Sequence, residues 1–453
     1  MTRQELEYLS KAELIELVLQ LQDQVTELKA KLAQKSRPPK TPANSSVPPS
    51  AARKPNRKRS PRKGKKRGPK VGHVGKSRRR AKPDVVIECR LEVCPDCGAD
   101  LSEVEQRVVG SSQVVEIPPV QPVVVEAHRY GCTCPVCGKP QAADYPPGME
   151  PERVFGRRIE ALVTYLHEVH HLSYARLQVV LQVLFSLLIS VGALVNLVQR
   201  AAKRLEPAAE AIREEIRGSR VVQSDETGAR VAGRNQWQWV FVTETATYHV
   251  IAPSRGSEVI QEVMGDAVPV VWVRDLWSAQ CKAPGRYHQI CHAHQLRDLQ
   301  YAMDAERSAW AYRMQRLLLR SQRLVKQRQR LPRALYQQAV AQLEVDCDAL
   351  LAEVVQGAEA QKLQRRYLKH RNSLFVFLYH PDVPYDNNAS ERALRNSVIH
   401  RKVSGGFRSE VGARAHATVT SVVDTARKRG QDIMAVLQEH IGPPAPVIQA
   451  DAP

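Results

Sequence analysis

Two aspartates and one glutamate have the types and settings for metal-assisted chemistry. Asp225 closes the β-branched run SRVVQSD and Asp275 closes PVVWVRD. Each reads as a carboxylate at the carboxyl end of a strand, and neighbouring strands lie about 4.8 Å apart. Two carboxylates that close repel unless a cation sits between them. Hard oxygen ligands with open positions suit Mg²⁺ or Mn²⁺. A third carboxylate, from a packed helix, completes a site for two such ions, which activate the attacking oxygen and stabilise the leaving one in phosphoryl displacement. Glu391 is the candidate, a lone acid in the amide-rich, basic segment YDNNASERALRNSVIHRK (385–402). Three plainer readings stand beside this one. An aspartate at a strand end is often only a turn former, Glu391 can pair with Arg395 four residues on, and Glu226 is a rival ligand. Strand alternation points Glu226 the other way.

A second constellation is made of thiols. CPDCG holds Cys94 and Cys97, and CPVCG holds Cys134 and Cys137. Two residues between thiolates let one tight turn aim both sulfurs at a tetrahedral Zn²⁺, so the two pairs together read as a zinc ribbon. Cys132 or Cys89 is a substitute ligand, and a metal-free or redox turn is the alternative. Between the pairs, VVEIPPVQPVVVEAHRY has the β-branched content of ribbon strands. Nine cysteines, an odd number, in a chain whose charged amphipathic start does not read as a secretory leader argue against a disulfide framework. A further pair, Cys291 and His294 in CHAH, falls on one helical face. Two ligands without a second pair favour packing or a hydrogen bond to the site over metal binding.

The elements that must position these groups are legible as periodicities. SRVVQSDETGARV, WQWVFVT and TYHVIA read as three strands, with GRN as a turn before the second. SEVIQEVMG reads as a helix and PVVWVRDL as a buried strand, and the crossover can bring that fourth strand parallel to the first. About 295–377 reads as basic helix, and about 410–440 as a last helical region before a Pro-rich tail at 441–453. Residues 153–205 read as helical, and within them LSYARLQVVLQVLFSLLISVGALVNLVQRAAKRL reads as two helices turning near Leu188–Ser190, with Ser190 as N-cap of the second. That fits a helix-turn-helix that reads DNA, and equally an ordinary helical hairpin.

Charge separates the amino-terminal third from the rest. Of the 67 Lys and Arg, 18 lie in residues 36–83, which hold no Asp or Glu; that leaves 49 basic against 47 acidic residues elsewhere. This Pro- and Ser-rich stretch is too poor in apolar residues to fold alone and reads as a disordered linker suited to phosphate contacts. Before it, residues 1–35 carry Leu14, Val18, Leu21, Val25, Leu28 and Leu32 in alternating steps of four and three, the seam of a short coiled coil that would join two copies. The uncharged run from Gln178 to Gln199 is interrupted by Gln182, Ser186, Ser190 and Asn196, and so reads as a buried helix pair, not a membrane span. The expectation is a soluble, intracellular (cytoplasmic) protein without a membrane partner.

Several long stretches together resemble the DDE transposases of bacterial insertion sequences, specifically the "insertion sequence 66" family. They are GPKVGHVGKSRRR, LHEVHHLSYARL, SDETGARVAGRNQWQWVFVT, CHAHQLRDLQYA and YDNNASERALRNSVIHRKVSGGFRSEVGA, and they span about 70–430. The resemblance implies a ribonuclease-H-like α/β core at 219–430, with Asp225, Asp275 and Glu391 as its metal-binding triad and the helical stretch as an insertion. The zipper-like start and the knuckles at 84–150 belong to the same layout. Around the second aspartate the resemblance implies a sequence nearer SDxY, whereas this chain has VRDLWSAQ. The implied activity is cleavage at the ends of a DNA element and transfer of the freed 3′-hydroxyls to target DNA, in a homo-oligomer assisted by two accessory proteins of the same element. Arg392, Arg395, Arg401 and Lys402, followed by Gly405–Gly406, are candidates for holding DNA phosphate. A nuclease that cuts without joining, and an inert zinc-ribbon DNA-binding protein, are the rival functions.

Overall fold

The computed structural model describes residues 10–35, 38–42, 44–45 and 79–443, except 119 and 152. Most of the 36–83 linker and all but three residues of the 441–453 tail lie outside these. The chain divides into two compact units, residues 54–122 and the remainder.

In the smaller unit the Cys94 knuckle is a tight hairpin. Cys94 N–H donates to the Ala99 carbonyl at 2.8 Å, and Gly98 N–H donates back to the Cys94 carbonyl at 2.9 Å. Gly98 has φ +74°, a left-handed turn that glycine adopts without a Cβ penalty. Residues 114–130, expected as ribbon strands, form none among the described residues. Pro118 and Pro122 cannot donate to a ladder, and Val114, Ile117 and Val124 are exposed instead of being paired across a sheet.

The larger unit begins with helix α1 (Lys11–Lys35). Along its expected seam Val18, Leu21 and Val25 are exposed. At the start of the linker, Lys40 lies 4.7 Å from the centre of the Tyr301 ring, and Asn44 donates to Asp304 at 3.3 Å. The second knuckle sits between the short antiparallel strands β1 (Gly131–Thr133) and β2 (Pro140–Ala142). It repeats the first hairpin: Cys134 N–H to the Lys139 carbonyl at 2.9 Å, Gly138 N–H to the Cys134 carbonyl at 2.9 Å, and Gly138 at φ +66°.

Helix α2 (Arg157–Glu168) is followed by the two helices read in the stretch from Leu172, α3 (Tyr174–Phe185) and α4 (Val191–Arg217). Ser190 caps α4, its hydroxyl accepting from Ala193 N–H at 3.2 Å. Leu177, Leu181, Leu194, Leu197 and Val198 bury a small core among the three. Among the described residues, no helix is long and apolar enough to cross a membrane.

The main sheet contains β3 (Val221–Val231), β4 (Arg234–Val242), β5 (Thr247–Ala252), then β6 (Val271–Arg274) after helix α5 (Ser257–Met264), and β7 (Tyr287–Ile290) after the short α6 (Ser278–Cys281). Its order is β5-β4-β3-β6-β7. The first three strands are antiparallel, while β6 runs parallel to β3 as the crossover required, and β7 runs parallel to β6. β3 does not end at Asp225. It pairs with β4 through to Val231, because the GARV segment keeps supplying residues to that ladder after β6 has stopped.

From β7 the chain enters α7 (His292–Glu306), α8 (Ala309–Lys326), α9 (Arg333–Ala352), α10 (Ala358–Lys369) and the single turn α11 (Val376–Tyr379). Their apolar faces, with Trp310, Met314, Tyr367 and Phe377 among them, form one core with Val271 and Val273 of β6. Helix α12 (Asn388–Ser404) then lies across β3 and β4, packing Leu394 on Val240 and Val242. The opposite face of the sheet, with Val222, Trp239, Phe241 and Trp272, buries against α4, α5, α13 (Glu410–Lys428) and α14 (Ile433–Ile441).

Rings tie α2, α12 and α13 together. His416 Nδ1 lies 2.8 Å from Glu168 Oε2, His400 stacks on His416 with centroids 4.8 Å apart, and Phe407 covers His400 at 4.5 Å. Burial in this apolar setting pushes Glu168 up to about 7 and both His400 and His416 down to about 3.

Candidate functional site

The sheet register explains why the two aspartates meet. Val221 pairs with Val271 and Gln223 with Val273, so the same offset carries Asp225 to the level of Asp275. Because β6 has ended by then, both carboxylates lie beyond the last paired residues of the two parallel strands, where a group can reach between them. Alternation along β3 sends Val222, Ser224 and Glu226 to one face, and leaves Gln223 and Asp225 on the face that α12 covers. Glu226 accordingly turns away: its carboxylate accepts from Gln280 at 3.0 Å and from Arg255 at 2.9 Å. Asp225 accepts the Glu226 N–H at 2.9 Å, and Asp275 accepts the Trp277 N–H at 2.9 Å.

The field at Asp225 is that of a crowded carboxylate. Burial is the largest influence raising it well above the usual range, followed by the like charges of Glu226, Asp275 and Glu391. The charges of Asp275 and Glu391 thus both bear on Asp225, while the ligand atoms gathered around Glu391 itself are those of Cys291 and His294. Glu391, in the first turn of α12, makes no ion pair with Arg395 among the described residues. Its Oε1 faces His294 Nε2 at 3.7 Å and Arg297 at 3.8 Å, and is buried without a hydrogen-bond donor. A buried anionic oxygen with no donor is costly unless something else satisfies it, and an all-oxygen set of three carboxylates suits a hard divalent cation.

The amides before Glu391 hold that geometry. Asn387 is fully buried: its side-chain amide donates to the Ser224 carbonyl at 2.8 Å, its backbone N–H donates to Cys291 Sγ at 3.2 Å, and its own carbonyl accepts from Glu391 N–H at 3.2 Å. One residue thus links the strand of Asp225, the end of β7 and the helix of Glu391. Beneath Asp275, Arg274 is buried and donates to the Asp275 carbonyl at 3.0 Å, to His288 at 2.9 Å and to Cys281 Sγ at 3.1 Å. Burial and the nearby guanidinium push His288 down to about 4, leaving Nδ1 free to accept. In the VRDL segment Arg274 thus fixes the backbone that carries the carboxylate. Arg255 sits between two rings, 3.7 Å from the centre of Trp277 and 4.6 Å from that of Trp237.

Cys291 N–H bonds the Arg274 carbonyl at 2.8 Å, which puts the start of α7 beside Asp275. One ligand atom each from Cys291, His294 and Glu391 lies within 4.8 Å of the others. Burial pushes the Cys291 thiol up to about 12. Sequence reasoning weighed Cys291 and His294 as a pair lacking partners; the partner arrives from α12, about 100 residues later. Arg274, Arg297 and Asn387 were missed. For Arg297 alone the sequence held a cue, three residues after His294 on one helical face.

The four basic candidates separate. Arg392, Arg395 and Lys402 are exposed on α12, whereas Arg401 is half-buried and donates to the Gly228 carbonyl of β3. Gly406 has an intramolecular reason: a Cβ there would come within 2.5 Å of the Arg230 carbonyl, at the point where Phe407 N–H bonds the same oxygen at 2.7 Å. In each cysteine knuckle, backbone N–H groups aimed at the first sulfur, from Cys97 at Cys94 and from Cys137 at Cys134, lower that thiol's pKa. This is the environment of a metal-binding thiolate.

Residues 152–415 match the model of the family described as "Transposase IS66 family", and residues 92–138 match the "zinc-finger binding domain of transposase IS66". An uncharacterised protein, y4jO, of Sinorhizobium fredii is 34% identical over 84 residues, covering 18% of this chain. The chain spans about a quarter (26%) of that relative's length.

Proposed function

Because the chain belongs to the IS66 family of transposases, we propose that it cuts the ends of its element and joins the freed 3′-hydroxyls to target DNA, with Asp225, Asp275 and Glu391 as the catalytic carboxylates. The observation that supports this reading is that Asp225 and Asp275 stand level at the ends of neighbouring parallel strands, that the charges of Asp275 and Glu391 both raise Asp225, and that Glu391 Oε1 is buried and undonated. The β5-β4-β3-β6-β7 order, three antiparallel strands followed by two parallel ones, supports a ribonuclease-H-like core interrupted by α7–α11. Mg²⁺ or Mn²⁺ held by the triad would supply charge stabilisation for in-line displacement at phosphorus.

The chain's own residues do the positioning. Backbone N–H groups of Glu226 and Trp277 each hold one carboxylate oxygen and so orient the other. Asn387 fixes the start of α12, and Arg274 fixes the Asp275 backbone. Arg392, Arg395 and Lys402 would grip the phosphate backbone, and Arg401 would keep α12 on β3. Asn196, Gln199, Arg200 and Lys203 of α4 line a groove with Arg414, a surface suited to a second DNA segment. The cysteine knuckles would hold Zn²⁺. The exposed Val18, Leu21 and Val25 of α1 support pairing of two copies, and accessory proteins of the same element would assist it.

The test is end cleavage and strand transfer on duplex DNA carrying the element's ends, in Mg²⁺ or Mn²⁺, comparing wild type with Glu391→Gln. The variant should bind DNA and perform neither step. Wild-type rates from the variant would sink the triad, and cleavage without joining by wild type would point to a nuclease instead.

A further inference from the structure

We propose that Cys291, His294 and Glu391 form a second metal site, selective for Zn²⁺ and similar borderline-soft ions, whose occupation withdraws Glu391 from Asp225 and Asp275. The withdrawal rests on the catalytic reading of Glu391; the binding site does not.

The donors come from two elements that meet only in the fold. Cys291 is the N-cap of α7, His294 stands one turn further along the same helix, and Glu391 arrives from the first turn of α12. Their ligand atoms lie within 4.8 Å of one another, close enough to share one ion after small side-chain adjustments. Two polar atoms in this cluster, His294 Nδ1 and Glu391 Oε1, are buried without hydrogen-bond partners. Such atoms are rare in interiors unless a ligand completes them.

The chemistry of the set discriminates among ions. A sulfur, a nitrogen and an oxygen with a fourth position open match the preferences of Zn²⁺, whereas Mg²⁺ avoids thiols. Asn387 N–H already points at Cys291 Sγ from 3.2 Å and would stabilise a thiolate there. As the Zn–S bond forms, the thiol proton leaves to solvent. Without zinc, Arg297, 3.8 Å from Glu391, supplies a positive charge to the carboxylate. The carboxylate is therefore shared: toward Cys291 and His294 it completes a soft site, and toward the aspartates it completes a hard one.

Metal-stripped full-length protein, titrated with Co²⁺ alone, tests the site through the thiolate-to-cobalt absorption band and the number of ions bound. The knuckles are common to every variant, so differences report this cluster. Cys291→Ser should lose one bound Co²⁺ per chain and its share of the band, and His294→Gln should weaken that ion by at least about tenfold. Because Cys291 is fully buried, the half-buried His294 supplies the variant least dependent on core packing. Titrations identical to wild type for both variants overturn the site. Zn²⁺ is then added to Mg²⁺-supported end cleavage, each protein being normalised to its own zinc-free rate. Inhibition that needs about tenfold more Zn²⁺ in His294→Gln supports withdrawal of Glu391. Unchanged cleavage with the site filled overturns the withdrawal. If Glu391→Gln cleaves normally yet loses one Co²⁺, the catalytic reading fails and the metal site stands.

Discussion

Among the described residues two glutamate–histidine pairs form between distant helices, and they have opposite characters. Glu168 and His416 are both buried and meet at 2.8 Å, sealed under His400 and Phe407. Glu391 and His294 keep 3.7 Å between them, and the glutamate oxygen nearest the histidine has no donor. The first pair bonds within itself at the Nδ1 edge, with both groups held near neutrality by burial, and only His416 Nε2, away from the carboxylate, is buried without a partner. The second is left short of a partner and lies in the field of two aspartates. A closed pair joins helices; an open pair with like charges around it is arranged for a cation. The difference lies in the neighbours, since both pairs use the same two side-chain types.

Four experiments sharpen or break this contrast. Asp225→Asn should lower end cleavage by at least about a thousandfold, roughly 4 kcal/mol of transition-state stabilisation. Its melting temperature should hold or rise, since the substitution relieves like-charge repulsion. A clear drop in melting temperature would place Asp225 among structural residues. Glu168→Ala should do the reverse, costing about 3 kcal/mol of folding stability in urea titration by orphaning buried His416, while activity per folded molecule persists.

The third concerns pH. His400 and His416, held down to about 3, bind protons in the unfolded chain before they do in the folded one. Each therefore contributes stability that is present above about pH 6.5 and falls by about 1.4 kcal/mol per unit as the pH drops toward 3. Glu168, raised to about 7, acts oppositely: its contribution is lost as pH rises through the range between its ordinary value and 7. Between pH 5 and 6 two histidines oppose one glutamate, so the net slope of the cluster is that of one histidine. His416→Gln should remove about 1.4 kcal/mol per unit from the slope measured by urea unfolding at those two pH values. The smallest effect belongs to Arg395→Ala, which should change folding stability by less than about 0.5 kcal/mol. It should also reduce the salt dependence of DNA binding by about one phosphate contact, a slope change near 0.9. An unaltered slope would remove Arg395 from the DNA surface.

The two pairs were unequally visible in the sequence. Strand periodicity exposed β3 to β6 and both aspartates, because those residues sit at or beyond the ends of continuous apolar runs. Glu391 stood out as a lone acid in a basic segment. Its companion His294 was seen, but one-dimensional spacing could not join it to a residue about 100 positions away. β7 went unread because YHQI has neither alternation nor an apolar run. The length of β3 past Asp225 depends on β4, a tertiary partner. The Glu168–His416 pair drew no notice, since each half is unremarkable until three helices pack. Arg274 illustrates the same limit: an arginine beside an aspartate looks solvated, whereas here the sheet buries it.

The place where the α7–α11 insertion leaves the sheet has a consequence for how this architecture tolerates change. Cys291 and Asn387 touch, and His292 N–H bonds the Tyr385 carbonyl at 2.9 Å, so the excursion returns to the point from which it departed. Five helices lie between the two ends of this clasp, and their core also packs on Val271 and Val273 of β6. Chain added to or trimmed from the far end would alter the span of the lobe without changing the register of β7 against β6 or the seat of α12 on β3. Chain geometry thus makes the size of the lobe an independent variable, while the clasp itself, where thiol and amide meet, is the part that cannot drift.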